Sequence, residues 1–483
     1  MPIDRRQLLK TGAAAALGSA TLGGCREGED TGTAQGVGQI DHVIVVMMEN
    51  RSFDHYLGAL TLEEGRDEID GLTGLETNPS NLGEDVPVFK LDISCQEDPP
   101  HSWGSSHAQY NQGANDGFVI KHEGNHGYEV GSEAMGYYGR EALPIHYALA
   151  DHYCVPDRFF CSVMSSTWPN RFYGHTGSSK GIQGNDTHPD GYDQMSVYKA
   201  LEEVGEDWRY YYTDVPFIGL LEDHWDGERI GTVEEFLIAA RNGSLPAFTW
   251  IDPGFTYNDD HPPHHVGLGQ MFLATIYEAL AQSPAWERTL LVITYDEHGG
   301  FFDHVPPPTT PDDYPEFIQM GFRIPALIVG PWVKQGVDPT VYDHASVLKY
   351  VCERFGIEPW NTRIAGVNSI ADALDQERMA QNLPLDPVVL PAFSVPDAEV
   401  TEDCHYEGFL EGELPDKQIT LPPKGARQGS GVTVSKKAFS TPGGQPELEA
   451  WVEQNMPWAD RRQQVPEIHQ RLLATARELG LIR

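Results

Sequence analysis

Short, wholly apolar runs alternate along the chain with longer segments in which apolar residues recur every three or four positions. Runs rich in Val, Ile and Leu are typical of strands buried on both faces, and the longer periodic segments are typical of helices. This alternation predicts an α/β fold with a mainly parallel central sheet sandwiched by helices. The predicted strands are 42–48, 245–253, 289–297 and 324–333, and the predicted helices are 143–152, 267–284 and 344–356.

Segments without a clear period surround these elements. Residues 60–95 and 178–240 are predicted to form surface excursions from the sheet. Residues 405–450 are rich in Pro, Gly and Lys, which predicts an irregular segment. A terminal helix is predicted at 459–480, broken or started near Pro466.

The first residues have the pattern of an export signal. Arg5 and Arg6 precede TGAAAALGSATLGG, a weakly apolar stretch rich in Ala and Gly. It is too short, and its side chains are too small, to span a membrane. This pattern predicts a twin-arginine export signal. Residues 22–25, LGGC, are similar to a lipoprotein cleavage box, which predicts that Cys25 is lipidated and anchors the protein to a membrane. A plain signal cleaved near the same place is the alternative.

These observations predict four parts in chain order. Residues 1–25 are the signal and 26–38 a flexible tether. One α/β domain with loop insertions extends over 39–400, and an irregular C-terminal extension with a terminal helix covers 401–483. The predicted location is the periplasm or the cell surface, with secretion as the alternative.

The charge balance narrows the class of partner. The chain has 33 Lys and Arg against 72 Asp and Glu, a formal net charge of −39. This charge argues against nucleic acid as a partner and against electrostatic docking on anionic lipid. Any phosphate chemistry must therefore rely on local cations. The six cysteines form no CxxC pair, which argues against a structural zinc site and leaves disulfide pairing open, and oligomeric state is also left open.

A polar cluster follows the first predicted strand. Glu49, Asn50 and Arg51 come directly after the apolar run 43–48, at the edge where an open α/β sheet binds its ligands. Glu and Asn supply hard oxygen ligands for a divalent cation, and Arg supplies a fork for phosphate. The alternative is a polar turn in which Asn50 caps a helix.

A second cluster contains hydroxyls. In residues 161–179, Ser165, Ser166 and Thr167 stand just before a Pro-led turn, Pro169. A hydroxyl at this position suits a helix N-terminus, where backbone N–H groups face an anion. The alternative is that Thr167 or Ser166 is only a helix cap.

Further candidates follow the third predicted strand and lie in loops. Asp296 and Glu297 end a buried strand, and paired buried acids are costly unless they are solvated, paired or bound to metal. Histidines lie among acids and prolines in the segments 98–118, 258–267 and 294–308. Several such clusters together predict an active site rather than isolated surface histidines.

The segments ENRSFDHYLG, hydroxyl–PNR, DDHP and TYDEHGGFFDHVPPP, in this order, resemble the bacterial phosphoesterase family. That family contains phospholipases C and acid phosphatases and is related to the alkaline phosphatase superfamily. The resemblance covers about residues 39–360. It implies an alkaline-phosphatase-like α/β sandwich with one divalent metal ion at the carboxyl ends of the strands.

The resemblance also implies roles for individual residues. Thr167 is implied as the nucleophile, which forms a phosphothreonine. Family members often carry Asp where Glu297 stands. Because oxygen ligands dominate, the ion is expected to be Ca, Mg, Mn or Zn. The implied metal ligands are Glu49, Asn50, Thr167, Asp296 and Glu297.

Other residues are predicted to contact the phosphate or the leaving group. His101 and His261 match family histidines with that role and are the predicted catalytic acids or bases. Asn170, Arg171 and His304 are the predicted substrate-binding residues. For Arg171, the alternative is a structural arginine held by carboxylates.

The predicted function is phospholipase C activity on the phosphodiester of glycerophospholipids. An acid phosphatase acting on small phosphomonoesters is the alternative, and a non-catalytic surface-binding lipoprotein is a third hypothesis. Trp103, Tyr110, Trp168 and Phe172 are candidates for a choline cage, with simple packing as the alternative. The short tail after 405 lacks the additional sheet domains of larger haemolytic relatives, which favours a compact enzyme.

Overall fold

An eight-stranded sheet organises the protein. The computed structural model describes residues 39–186, 188, 191–221, 228–395, 445–455 and 459–480. The strands, in chain order, are β1 (His42–Met48), β2 (Thr77–Pro79), β3 (Asp85–Pro87), β4 (Phe89–Lys90), β5 (Gly136–Tyr137), β6 (Cys154–Pro156), β7 (Trp208–Tyr212), β8 (Ile230–Thr232), β9 (Phe248–Ile251), β10 (Thr289–Tyr295), β11 (Ala326–Val329) and β12 (Gly336–Asp338).

The order of strands across the sheet is β12-β6-β11-β10-β1-β9-β7-β8. β11 runs antiparallel to both of its neighbours, and the other seven strands share one direction. β1 and β10 are apolar runs buried along nearly their whole length, as expected of central strands covered on both faces. The prediction of a mainly parallel α/β sheet is confirmed.

Helices flank this sheet. In chain order they are α1 (Phe53–Leu57), α2 (Ala59–Leu62), α3 (Trp103–Tyr110), α4 (Phe118–His126), α5 (Tyr128–Gly131), α6 (Pro144–His152), α7 (Thr167–Thr176), α8 (Val197–Val204), α9 (Val233–Asn242), α10 (Val266–Ala281), α11 (His344–Phe355), α12 (Thr362–Gly366), α13 (Gln376–Gln381), α14 (Pro446–Asn455) and α15 (Val465–Glu478). They pack in two groups: α7, α8 and α11 contact one another, and α6, α9, α10 and α15 form the second group.

The prediction of a surface excursion at 178–240 is wrong from residue 197 onward. α8, β7, β8 and the start of α9 lie there, and β7 is a buried strand between β9 and β8. The sequence of β7, WRYYY, carries one charged and three hydroxyl-bearing side chains. It therefore lacks the aliphatic run by which the other central strands are recognised.

The C-terminal extension is more regular than predicted where it is described. α14 begins within the segment predicted to be irregular, and α15 begins at Val465, so the helix start near Pro466 is confirmed. Leu448 and Val452 of α14 and Leu472 of α15 are buried in the main hydrophobic core. The extension thus packs on the domain. The predicted signal, Cys25 and tether lie outside the described residues.

Two further features of the described residues concern membrane-spanning helices and cysteines. No helix among them is long and apolar enough to cross a membrane. Cys154, Cys161 and Cys352 are buried free thiols, whereas Cys95 is disulfide-bonded.

Candidate active site

The ends of the two central strands are joined by their backbones. β1 and β10 pair in parallel with Met48 opposite Tyr295, which brings Glu49 and Asn50 beside Asp296. The Asn50 backbone N–H donates to Asp296 Oδ1 at 2.9 Å, and the Asp296 N–H donates to the Met48 carbonyl at 3.1 Å. Neighbouring parallel strands therefore place polar residues that are about 250 positions apart side by side.

Asn50 is not a helix cap. α1 is capped by Ser52, whose hydroxyl accepts from the His55 N–H. The Asn50 backbone lies at φ +24°, and its buried side-chain amide has no hydrogen-bond partner. Gly299 permits this arrangement, because a Cβ there would lie 2.2 Å from the Asn50 carbonyl oxygen.

α7 delivers Thr167 to this edge of the sheet. Thr167 is the first residue of α7, after the N-cap Ser166, and its Oγ1 donates to Glu49 Oε2 at 3.2 Å. The Asn170 side chain accepts from the Val163 N–H at 2.8 Å and donates to the Ser166 carbonyl at 3.1 Å. The Asn170 amide thus hydrogen-bonds to backbone groups and fixes the loop before α7.

Arg171 lies fully buried beneath the acids. Its Nε and Nη2 donate to Glu49 Oε1 at 3.0 and 2.7 Å, and Nη1 donates to Asp252 Oδ1 at 3.1 Å. Asp296 Oδ2 lies 3.8 Å from Nε. Tyr210 donates to the other oxygen of Asp252. The contacts of Arg171 therefore match the alternative hypothesis, a structural arginine whose guanidinium balances buried carboxylates.

Two acids of this cluster have strongly raised pKa values. Burial raises the pKa of Glu49 well above its usual range, the charge of Asp296 raises it further, and Arg171 opposes the shift. Burial and Asp296 likewise raise the pKa of Glu297 well above its usual range. Acids that repel one another in a buried site are stabilised by a bound cation.

Three buried oxygens at these strand ends are of the type that binds a hard cation. Asn50 Oδ1, Asp296 Oδ2 and Glu297 Oε1 are buried and have no hydrogen-bond partner. Amide and carboxylate oxygens are the ligands that divalent hard ions prefer. Glu49 and Thr167 add two more oxygens, although both are hydrogen-bonded in this structure. The sequence-predicted ligands are thus assembled around one edge of the sheet.

Two predicted catalytic histidines border the cluster. His101 Nδ1 lies 2.8 Å from the Pro99 carbonyl and His261 Nδ1 lies 2.6 Å from the Pro262 carbonyl. Because a carbonyl can only accept, each Nδ1 carries a proton, and Nε2 is the ring nitrogen that can exchange a proton with a ligand. His101 Nε2 lies 3.7 Å from Glu297 Oε1, which joins the histidines to the acids.

Asp98 completes a second group with these histidines. One ligand atom each from Asp98, His101 and His261 lies within 4.8 Å of the others. Burial lowers the pKa of His261, while Asp98 and Asp259 partly offset that effect. This group can accept and donate protons beside the acid cluster, and its ligand types also suit a cation.

The structure does not bring His304 into contact with the acid cluster. His304 Nδ1 lies 2.7 Å from Asp54 Oδ2 and Nε2 lies 3.2 Å from Asp70 Oδ1. Arg323 pairs with the other oxygen of Asp54 at 3.0 Å. Both ring nitrogens are engaged in a network that ties α1 to the loop after β10, which favours a structural role for His304 over a contact with substrate.

The His304 network predicts a pH-dependent stability. Burial lowers the pKa of His304, but the Asp54 carboxylate outweighs burial and the pKa is raised to about 9. The stabilisation is complete below pH about 6.5 and is lost as the pH rises through about 9, on the order of 3 kcal/mol in total. Denaturant unfolding at pH 6 and pH 10 should show this loss in the wild type and not in His304→Gln. A control variant, His152→Gln at an exposed position, should keep it; equal pH dependence in both variants would contradict the assignment.

Arg51 is also engaged inside the protein. Its Nε donates to the Asp260 carbonyl at 2.8 Å, Nη1 donates to Gln96 Oε1 at 2.9 Å, and its guanidinium lies 4.8 Å from the Phe301 ring centroid. Only Nη2 is left without a hydrogen-bond partner. Most of the Arg51 guanidinium, which was predicted to bind phosphate, is thus engaged in fixing the loop after β1.

The aromatic residues considered for a choline cage pack within the protein. Trp168 and Phe172 are buried, and Phe172 stacks on Tyr192 with ring centroids 3.7 Å apart. Trp103 contacts Phe317 edge to face. These contacts favour simple packing of the aromatic residues over a choline cage.

Sequence reasoning missed three residues of the site. Asp252 follows β9 as Asp296 follows β10, and this shared position could have suggested it. Asp98 lies three residues before His101, a spacing that gives little signal. Gln445 donates to both Glu49 and Thr167, and no local pattern marks it.

The comparisons with known proteins identify the family of this chain. Residues 40–358 match the Phosphoesterase family. The chain belongs to the Phosphoesterase family. The matched range contains the strand ends, Thr167, both histidines and the acids of β9 and β10, so the family predicted from the sequence is confirmed. Of these site residues, Gln445 alone lies outside it.

Curated relatives of the chain are phospholipases C. Non-specific phospholipase C1 of Arabidopsis thaliana is 34% identical over 367 residues, which cover 66% of this chain and 68% of that protein. Phospholipase C B of Mycobacterium tuberculosis is 31% identical over 438 residues, covering 74% and 82%. Non-hemolytic phospholipase C of Burkholderia pseudomallei is 28% identical over 425 residues, covering 70% and 59%.

Solved structures similar to this fold are more distant. A protein in the alkaline phosphatase superfamily from Vibrio parahaemolyticus has 14% identity and a TM-score of 0.34, covering 62% of this chain and 72% of that one. The lipoteichoic acid synthase LtaP from Listeria monocytogenes has 10% identity and a TM-score of 0.38, covering 71% and 78%.

Proposed function

We propose that this phosphoesterase is a metal-dependent phospholipase C that hydrolyses glycerophospholipids through a phosphothreonine intermediate. The observation that carries the proposal is the hydroxyl of Thr167 at the start of α7, which donates to Glu49 at the sheet edge that also holds three buried oxygens without a hydrogen-bond partner. The names of the curated relatives support the phospholipid diester as substrate.

In the first step, Thr167 Oγ1 attacks phosphorus and its proton passes to Glu49 Oε2, the acceptor 3.2 Å away. The new bond joins Oγ1 to phosphorus, and the bond between phosphorus and the glycerol oxygen breaks. His101 or His261, which enters this step with a proton on Nε2, gives that proton to the diacylglycerol alkoxide. A divalent ion held by the acid cluster would supply charge balance for the phosphoryl oxygens and a lower pKa for the hydroxyl.

In the second step, water attacks phosphorus and the bond to Thr167 Oγ1 breaks. The histidine that gave up its proton takes one from the water, and the threonine oxygen regains a proton from Glu49. The products are diacylglycerol from the first step and a phosphorylated headgroup from the second. The ring centroids of His101 and His261 are 5.7 Å apart, which supports the proposal that this pair serves both steps.

A substrate panel tests the proposal. The purified protein should release phosphocholine from phosphatidylcholine in mixed micelles faster than it releases phosphate from an aryl monophosphate. Faster cleavage of the monoester would replace the proposal with the acid phosphatase alternative. Cleavage of neither ester, in protein that contains metal, would favour the non-catalytic lipoprotein.

Metal removal provides a second prediction. Dialysis against a chelator should abolish turnover and lower the thermal midpoint, because the buried acids then repel one another without compensation. Returning the correct ion at about 100 times its Kd should restore about 3 kcal/mol of stability. Elemental analysis and add-back of Ca, Mg, Mn and Zn identify the ion. Full turnover in protein shown to be metal-free would contradict the prediction.

We further propose that the protein is exported by the twin-arginine route and anchored through a lipid on Cys25. The motif at Arg5 and Arg6 and the LGGC segment support this. Replacement of both arginines with Lys should retain the protein in the cytoplasm, and Cys25→Ala should release it from membranes into the soluble fraction. Membrane association that survives Cys25→Ala would rule out the anchor.

A further inference from the structure

The C-terminal extension reaches the nucleophile. Gln445 Nε2 donates to Glu49 Oε2 at 3.0 Å and to Thr167 Oγ1 at 3.2 Å. Gln445 is buried, and its Oε1 has no hydrogen-bond partner. The residue that completes this triangle of polar atoms therefore lies 278 positions after the threonine.

The segment that carries Gln445 is anchored at several points. Leu448 and Val452, one and two turns further along α14, are buried in the main core. Arg462 pairs with Glu449 at 2.5 Å and links the two terminal helices. The Arg461 N–H donates to the Asp214 carbonyl at 2.9 Å, beyond the end of β7. These contacts hold the start of α14 against the edge of the sheet where the acids meet.

Among the described residues, few side-chain N–H groups lie close to Thr167 Oγ1. Among the described residues, the side-chain N–H that donates to Oγ1 belongs to Gln445. The Asn170 amide is used by the backbone of the loop before α7, and Arg171 is used by carboxylates. Glu49 on the other side of Oγ1 is an acid and cannot donate when ionised. Gln445 is therefore the described side chain that is placed beside Thr167 Oγ1 with an N–H group to offer an anion.

We propose that Gln445 is a substrate-binding residue whose amide donates a hydrogen bond to a non-bridging oxygen of the phosphoryl group at Thr167. The inference rests on the proposed function. The non-bridging oxygens of a phosphoryl group bonded to Oγ1 lie one bond beyond phosphorus, within reach of an amide that already touches Oγ1. Such a donor gains strength as negative charge develops on those oxygens, so it contributes more to the transition state than to substrate binding.

The experiment compares Gln445→Ala and Gln445→Glu with Gln454→Ala, an exposed glutamine on the same helix. Binding of orthovanadate to metal-loaded protein is measured by calorimetry, alongside kcat and KM on phosphatidylcholine micelles. Gln445→Ala should weaken vanadate binding and lower kcat by about 10²-fold, with a smaller change in KM. Gln445→Glu should weaken vanadate binding and lower kcat further, because a carboxylate there repels the anion. Gln454→Ala should match the wild type.

Metal content and the thermal midpoint are measured on each variant to separate substrate contact from structural support. Both should stay at wild-type values in Gln445→Ala. Vanadate binding equal to that of the wild type would overturn the proposal, as would a parallel loss of metal. A higher kcat would also overturn it, since the amide would then block the site. Because vanadate binding needs no turnover, this arm gives an answer even if the protein cleaves neither ester and the proposed function fails.

Discussion

Thr167→Ala is expected to lower kcat on phosphatidylcholine by at least about 10³-fold. The variant lacks the oxygen that Glu49 and Gln445 both contact, so no covalent intermediate can form. Initial rates and mass spectrometry of acid-quenched protein provide the measurement. The wild type should show the added phosphoryl headgroup on the peptide that contains Thr167, and the variant should not.

Two variants control this prediction. Ser166→Ala removes the neighbouring hydroxyl, which makes no cap hydrogen bond in α7, and should leave kcat near the wild-type value. Thr167→Ser keeps a hydroxyl and should retain part of the activity. Wild-type activity in Thr167→Ala would disprove the nucleophile assignment, and an equal loss in Ser166→Ala would show that the loop, not the hydroxyl, is responsible.

Arg171→Met is expected to destabilise the protein by about 3–5 kcal/mol. The arginine is fully buried and contacts Glu49 and Asp252, so its removal leaves uncompensated buried acids. The pKa of Glu49, which Arg171 now lowers, should rise further. Denaturant unfolding at neutral pH measures the change in the free energy of unfolding.

Arg140→Met is the matched control. Arg140 also pairs with two carboxylates, Glu64 and Asp151, but its side chain is 41% exposed. Its loss should cost no more than about 1 kcal/mol, because water solvates the remaining acids. Similar destabilisation by the two variants would mean that burial of the acids is not the cause.

Much of the fold could be predicted because its central strands carry a simple signal. β1 and β10 are aliphatic runs that end in acids, and the α/β alternation follows from them. β7 was missed because its aromatic and charged residues resemble no aliphatic run. Side-chain chemistry alone does not separate a buried aromatic strand from a surface segment, since packing against neighbours decides the outcome.

The candidate site divides in the same way. Glu49 and Asp296 could be placed together because the carboxyl ends of parallel strands meet at one edge. The partners of Arg171 and His304 could not be read from the sequence, because buried arginines and histidines bind whichever carboxylates the tertiary packing brings near. Gln445 was out of reach for the same reason, as its position depends on how α14 docks.

The docking of α14 also sets the useful boundaries of the protein for laboratory work. A fragment trimmed to the family-matched residues 40–358 would retain every recognisable active-site motif and the whole eight-stranded sheet. It would still lack the glutamine amide beside Thr167 and the apolar side chains of α14 that fill part of the core. Expression and screening of relatives should therefore keep the chain beyond the family match.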